Sequence, residues 1–318
     1  YECENLCRLF FPYSPVRVEE GGQPEAGEPW ALAAVEPQVA GIEPACGKYL
    51  YRVKVSDGKR DLEKQELREA LEEYGITDLL YRALSELTGY TPAWGMLTGI
   101  HPVKLLRQYC EELGERAGLE KFRARGHVSL KKSELALRVL HAQEPVVNAL
   151  SENDFSLYVS IPFCPTRCSY CSFVSQSIEK EKKLMEPYFE LLLLELEKTA
   201  RVTEALGLTL RSVYIGGGTP TTLSAAQLSR LCEKIHREFE FSRCQEFTVE
   251  AGRPDTIDKE KLRALREAGV SRISINPQSL SDQVLENIGR KHTVQDVINA
   301  FAMAKEEGFR EITADLIV

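Results

Sequence analysis

The sequence predicts an α/β protein in two parts: an α+β region over residues 1–150, then a parallel-stranded region over 151–318. Three observations carry this reading. Apolar residues make up 43% of the 318, enough to bury a large core and to exclude a disordered chain. The rhythm of the sequence changes after Pro145. From there, β-rich runs and helix-period runs alternate, which implies parallel pairing through right-handed crossovers. An open doubly wound sheet and a partial (β/α) barrel both satisfy that alternation.

Taken in order, residues 1–48 are rich in Pro, Gly and Glu (Gly21-Gly22-Gln23-Pro24, Gly27-Glu28-Pro29) and predict irregular structure with short strands around it. Tyr49–Val55 alternates as a strand does, and Asp57-Gly58 is a turn signal. Asp61 stands where a helix cap would, with Leu62, Leu67, Ala70 and Leu71 following near helical spacing up to Tyr74-Gly75. Thr77–Leu87 predicts a second helix. Gly89-Tyr90-Thr91-Pro92-Ala93-Trp94-Gly95 is a breaker-rich loop. Val103–Leu113 and Ser129–Gln143 predict further helices.

In the second part, strands are predicted at Leu157–Ile161, Ser212–Ile215, Glu246–Glu250, Arg272–Asn276 and Ile312–Val318. Helices are predicted between them at Glu179–Leu206, Ser224–Phe239, Ile257–Ala268, Asp282–Ile288 and Thr293–Glu307. The chain begins without Met and ends at Val318 inside an apolar run. That predicts a piece of a longer protein.

Charge and cysteine usage narrow the function classes. A net charge of −8 repels phosphate backbones, and no local basic stripe offsets it, so nucleic acid is not an expected partner. The longest apolar run, Leu191–Leu194, reads as helix core and is far short of the roughly 20 residues a bilayer span needs. The N-terminus carries no basic, apolar leader. Nine cysteines, an odd number at irregular spacing, do not fit a secreted disulfide scaffold and predict a reducing cytoplasm.

The strongest chemical signal is Cys164-Pro165-Thr166-Arg167-Cys168-Ser169-Tyr170-Cys171, three cysteines at C-x3-C-x2-C spacing just after a predicted strand. Such a loop can bring three soft thiolates to bear on an iron–sulfur cluster, with one iron left open. Zinc is the competing reading, but it wants a fourth Cys or His close by. The nearest later ones are Cys232 and His236, on a predicted helix. Gly216-Gly217-Gly218-Thr219 follows a strand and allows backbone to approach a ligand closely. A phosphate loop is the rival reading there, but the Gly-Lys-Ser/Thr ending is absent. His101, His127, His141 and His236 have no partner at ligand spacing and read as structural or surface residues. Cys3, Cys7, Cys46, Cys110, Cys232 and Cys244 read as small core or surface residues.

The run Tyr158-Val159-Ser160-Ile161-Pro162-Phe163-Cys164, with Cys168 and Tyr170-Cys171, resembles the radical S-adenosylmethionine (SAM) superfamily. More narrowly it resembles the oxygen-independent coproporphyrinogen III oxidase group and its HemZ-type branch. The likeness continues through Gly216–Thr221, Glu250–Asp255, Arg272–Ser279, Gly289–Thr293 and Asp315–Ile317, and Tyr90–Lys104 is similar to the N-terminal region of that branch.

The resemblance implies a radical SAM partial (β/α) barrel, incomplete on its C-terminal side, with ligands met at the C-terminal strand ends. It implies a [4Fe–4S] cluster on Cys164, Cys168 and Cys171, with SAM on the open iron. It places Tyr158 and Tyr170 against SAM, and Gly217, Gly218 and Thr219 at its methionyl part. Glu250 would meet its amino group, Arg290 its carboxylate, and Gln278 and Asp315 its ribose. The implied reaction is oxidative decarboxylation of coproporphyrinogen III propionates to vinyls, started by a radical from SAM. The implied partners are a porphyrinogen or haem-type small molecule and an electron-donor protein. Ser160 stands where many relatives carry His, Ser172 where characterised oxidases carry Cys, and Gly252 where Asn is common. These departures point toward the HemZ-type and haem-chaperone relatives, so a haem chaperone is the alternative function and another substrate a third.

Overall fold

The computed structural model describes residues 2–22, 27–38, 48–173 and 175–317. Cys46, the Gln23-Pro24 pair and Val318 lie outside them. The chain divides into two compact units, Tyr1–Ala149 and Leu150–Val318.

The first unit opens with a helix, α1 (Glu2–Phe10), where irregular structure was expected. Cys3, Leu6, Cys7 and Phe10 recur at helical spacing, and Leu6 and Phe10 are buried. Strands β1 (Pro29–Gln38), β2 (Lys48–Asp57) and β3 (Asp61–Arg68) form an antiparallel sheet in that order. The helix expected from Asp61 is therefore β3. Asp57 Oδ1 accepts from the backbone N–H groups of Lys59 and Arg60, which reverses the chain and pairs Asp61 with Ser56. Leu67 and Leu71, read as part of a helical stripe, are exposed. Helix α2 (Glu73–Thr88) covers β2, burying Leu79, Leu80, Ala83, Leu84 and Leu87 with Tyr51, Val53 and Val55. Helices α3 (Pro102–Leu113), α4 (Glu115–Gly126) and α5 (Leu130–Val147) complete the unit. No apolar stripe announced α4. Its Gly118 lets it press onto α3, where an added Cβ would stand 2.6 Å from Cys110 N.

In the second unit, β4 (Asp154–Ile161) leads into the cysteine loop. Two short strands, β5 (Phe163–Cys164) and β6 (Gln176–Ser177), pair in parallel and close the base of that loop. The long helix expected over Glu179–Leu206 is interrupted. It consists of α6 (Ile178–Glu181), a 3-10 turn at Lys182–Leu184, and α7 (Met185–Ala205). Pro187 is the physical reason: it has no N–H to donate to the preceding turn, so it is accommodated in the first turn of α7 rather than within a continuous helix. There follow β7 (Thr209–Gly217), α8 (Ala225–Glu238), β8 (Glu246–Glu250), α9 (Lys259–Glu267), β9 (Arg272–Ser274), α10 (Asp282–Asn287), α11 (Val294–Glu306) and β10 (Glu311–Thr313). The last strand is shorter than expected, and among the described residues pairing continues beyond it as a single bridge between Leu316 and Gln278.

The sheet order is β4-β7-β8-β9-β10, and every neighbouring pair is parallel. A doubly wound sheet reverses its strand order at a switch point. Here spatial order equals chain order, as in a barrel.

Pleat alternation then sorts the side chains. Leu157, Val159, Ile161, Val213, Ile215, Phe247, Val249 and Ile273 pack with Phe189, Leu192, Leu228, Leu231, Ile235, Leu262 and Leu265 of the helices. Each fully buried aliphatic contributes on the order of 2 kcal/mol. The alternate positions Tyr158, Tyr214, Thr248 and Arg272 stand in one register row on the opposite face. Of the Leu191–Leu194 run, Leu192 is buried while Leu191 and Leu194 are exposed. Among the described residues, no helix is long and apolar enough to cross a membrane.

Candidate active site

The C-terminal ends of the five parallel strands carry the chemistry. Cys164 leaves β4 after Pro162, and Gly218 leaves β7 beside it. Gly218 N donates to Ile161 O at 2.9 Å, and Thr219 Oγ1 donates to Cys164 Sγ at 3.4 Å. A Cβ on Gly218 would stand 2.8 Å from Phe163 O, 2.9 Å from Ile161 O and 3.0 Å from Cys164 Sγ. Gly217 has φ +103°, a conformation that L side chains rarely adopt, and its Cβ would meet Ser160 Oγ at 2.7 Å. The glycines are thus required by close approach of the turn to the cysteine loop.

The loop is strapped on its far side as well. Ser169 N donates to Ile288 O at 3.1 Å and Thr166 Oγ1 to Gly289 O at 2.8 Å. Cys164, Cys168 and Cys171 are free and partly exposed. Among the described residues, no three His, Cys, Asp or Glu side chains converge on one metal-ion geometry. Three soft thiolate donors carried on one loop are chemically suited to an iron–sulfur cluster, in which each thiolate takes a different iron.

Glu250 closes β8 and is half-buried. Burial pushes its carboxyl above the usual carboxylate range, and the charge of Asp315 adds to the rise. The Tyr214 hydroxyl opposes it by donating to Glu250 Oε1 at 2.6 Å. Tyr158 stacks on Tyr214 with ring centroids 5.8 Å apart, and is exposed. It belongs to the polar face of the sheet rather than to the strand core.

Arg290 is buried, and its Nη1 donates to Gly252 O at 2.9 Å and Asn276 O at 3.0 Å. Among the described residues it has no carboxylate at ion-pair distance, and its Nε is buried without a partner. Asn276 Oδ1 and Ser274 Oγ are likewise buried and unpartnered. Buried polar atoms are normally bonded, so this concentration at the strand ends marks a place for a polar ligand. Exposed Tyr170 faces Arg290 and Cys168, and burial of part of its ring raises its phenol. Gln278 has φ +63°, an uncommon left-handed conformation for a non-glycine residue. Its backbone N–H bonds Asp315 O at 3.0 Å, which brings those two residues to one edge of the site.

Three contributors went unassigned in the sequence. Tyr214 shares pleat parity with Glu250 across the β7–β8 register. Arg253 lies inside the Glu250–Asp255 motif, yet the sequence gives no sign that its Nη1 bonds Cys168 Sγ at 3.1 Å. His292, in the Gly289–Thr293 motif, is fully buried beside Asp255. Three of the other histidines have ordinary partners, Asp78 for His127, Glu115 for His141 and Ala268 O for His236, and His101 stands exposed at the start of α3. An open cavity of about 990 Å³ belongs to the first unit and is bordered by Tyr81, Arg82 and His127, not by any of these site residues.

The chain has clear relatives. It is 37% identical over 254 residues to the oxygen-independent coproporphyrinogen-III oxidase-like protein HemZ of Bacillus subtilis (strain 168), covering 76% of this chain and 49% of that one. It is 41% identical over 163 residues to the heme chaperone HemW of the same organism, covering 51% of this chain and 42% of that one. The solved coproporphyrinogen III oxidase HemN of Escherichia coli is 28% identical, covering 55% of this chain and 40% of that one at a TM-score of 0.45. The chain thus spans about half the length of the curated relatives it matches. The sequence profile of the Radical SAM superfamily matches residues 158–318, which takes in the cysteine loop and every strand end from β4 to β10. A parallel five-stranded partial barrel with three cysteines after its first strand and glycines after its second belongs to the radical SAM superfamily, whose cofactors are a [4Fe–4S] cluster and SAM, and this chain is a member of it.

Proposed function

We propose that this chain supplies the cofactor half of a radical SAM oxidoreductase that converts coproporphyrinogen III propionates to vinyls. One observation carries the reading: the cysteine loop and the Gly217-Gly218-Thr219 turn bond each other directly at the strand ends. In this reading Cys164, Cys168 and Cys171 hold the cluster, and Gly217, Gly218 and Thr219 receive the methionyl part of SAM. When bound, cluster and SAM together supply a carbon radical able to take hydrogen from the substrate.

The chain's own residues bind, orient and shield. Ionised Glu250 holds the SAM ammonium group. Arg290, with its Nη1 tethered to two carbonyls and, among the described residues, no carboxylate to neutralise it, faces the SAM carboxylate. Gln278 and Asp315 bond the ribose hydroxyls. Tyr158 and Tyr170 cover the site from water.

Likeness to a coproporphyrinogen-III oxidase-like protein over 76% of this chain supports the porphyrinogen substrate. An electron-donor protein is the implied partner. Free thiols and a thiolate-held cluster fit the cytoplasm, where thiols stay reduced.

A second reading, a haem chaperone, is favoured by the HemW likeness and by Ser172 directly after Cys171. The test is anaerobic reconstitution followed by three assays. SAM cleavage under dithionite with about four irons per chain supports the cluster reading. Vinyl products from coproporphyrinogen support the oxidase. Stoichiometric haem uptake with no such product overturns the oxidase in favour of the chaperone.

A further inference from the structure

Arg253 follows β8 by three residues, and only 3% of it is exposed. Its fork reaches two positions of the cysteine loop. Nη1 donates to Cys168 Sγ at 3.1 Å and Nη2 to Thr166 Oγ1 at 2.5 Å. Thr166 passes the strap on to Gly289 O. Behind the guanidinium, Asp255 Oδ1 lies 3.4 Å from Nε, and His292 Nδ1 lies 3.7 Å from the same carboxylate oxygen. A charged side chain is thus buried, oriented from behind, and aimed at one cysteine sulfur.

We propose that Arg253 sets the reduction potential of the cluster, acting through Cys168. The proposal rests on the cluster reading of Cys164, Cys168 and Cys171. Reduction adds one negative charge to the cluster. Net charge and hydrogen bonds to the sulfurs are established levers on such potentials. A guanidinium donating to a ligand sulfur favours the reduced, more negative form; the Asp255 carboxylate behind it offsets part of the charge, and little water is present to screen what remains at the sulfur. Lysine has a single ammonium point and cannot span Cys168 and Thr166 together. Arg253 is therefore a positioning and tuning residue, and SAM contact is not required of it.

The test is a redox titration followed by electron paramagnetic resonance on the reconstituted wild type and on Arg253→Gln, Arg253→Lys and Thr166→Val, with iron and sulfide counted in each. In Arg253→Gln the ratio of reduced to oxidised cluster at fixed potential should fall about tenfold, a 59 mV lower midpoint for a one-electron couple. Arg253→Lys should shift less, and Thr166→Val should leave the midpoint in place. A wild-type midpoint in an Arg253→Gln protein that keeps its iron overturns the proposal. Loss of iron from both Arg253 variants but not from Thr166→Val also overturns it, leaving a purely structural role. A wild type that takes up no iron and sulfide instead overturns the cluster reading, which separates the two failures.

Discussion

The Tyr214 hydroxyl donates to Glu250 Oε1 at 2.6 Å while the Tyr214 ring stacks on Tyr158. One side chain thereby couples the carboxylate of β8 to the aromatic wall of β4. Burial and the neighbouring carboxylate raise the Tyr214 phenol far above its usual value, so it remains a donor at any workable pH.

Removing that donor should loosen the carboxylate without removing it. Tyr214→Phe is expected to weaken SAM binding about tenfold, the value of one hydrogen bond to a charged group. Glu250→Gln removes the charge itself and is expected to cost on the order of 2–3 kcal/mol of binding. Isothermal calorimetry on cluster-loaded protein measures both. Wild-type affinity in Glu250→Gln would show that the ammonium group of SAM is held elsewhere.

The raised carboxyl of Glu250 has a pH signature. Burial raises it, so the SAM-free protein takes up a proton here at a higher pH than an exposed glutamate would. A cationic ammonium favours the ionised form. SAM affinity should therefore fall as pH drops through this elevated range, and binding there should release a proton. Calorimetry in buffers of different ionisation enthalpy detects that release. The sign for stability is opposite to that of a salt-bridged carboxylate: the unliganded fold is penalised above the raised pKa and relieved below it. A SAM affinity that stays flat until the range of exposed carboxylates would count against the role of Glu250.

Gly218→Ala places a methyl group against two backbone carbonyls and Cys164 Sγ, none of which can retreat freely. The expected cost is about 1–3 kcal/mol from overpacking, with reduced iron uptake because the cysteine loop is displaced. Gly207→Ala is the control. Gly207 also has a positive φ, +64°, but its Cβ would meet nothing within 4 Å. It should lose about 1 kcal/mol and keep full iron uptake. Equal iron loss in the two variants would remove steric contact as the cause.

Cys232 gives a check on the core. It is fully buried on the inner face of α8, and burial pushes its thiol up to about 12. Because the thiolate is the reactive species, iodoacetamide at pH 8 should leave it unmodified in the folded protein and label it once denaturant unfolds the second unit. Labelling at equal rates in both states, read by mass spectrometry, would contradict this packing.

Where local pattern and tertiary demand agreed, the elements could be read directly. Ser224 and Thr293 begin α8 and α11 as capping boxes, and the expected starts fall on those residues. Glu246–Glu250 is a strand over the same residues as expected. Where a partner decided, the reading failed. The β3 segment has an ambiguous apolar spacing, and its pairing with β2 through the Asp57 turn selects strand over helix. In α4, two glycines weaken the helical signal, while one of them is what lets the helix reach α3.

The alternation of strand and helix in the second unit and the order of motifs at the strand ends are legible in the linear chain. Both are written in short runs, through side-chain period, caps and glycines. That the sheet keeps chain order instead of reversing emerges from folding, because it depends on which strand edge each crossover finds. Only the tertiary structure brought Arg253 onto Cys168, 85 residues earlier, and Tyr214 onto Glu250, 36 residues later. Contacts at such separations come from register and burial across the sheet, which no local pattern encodes.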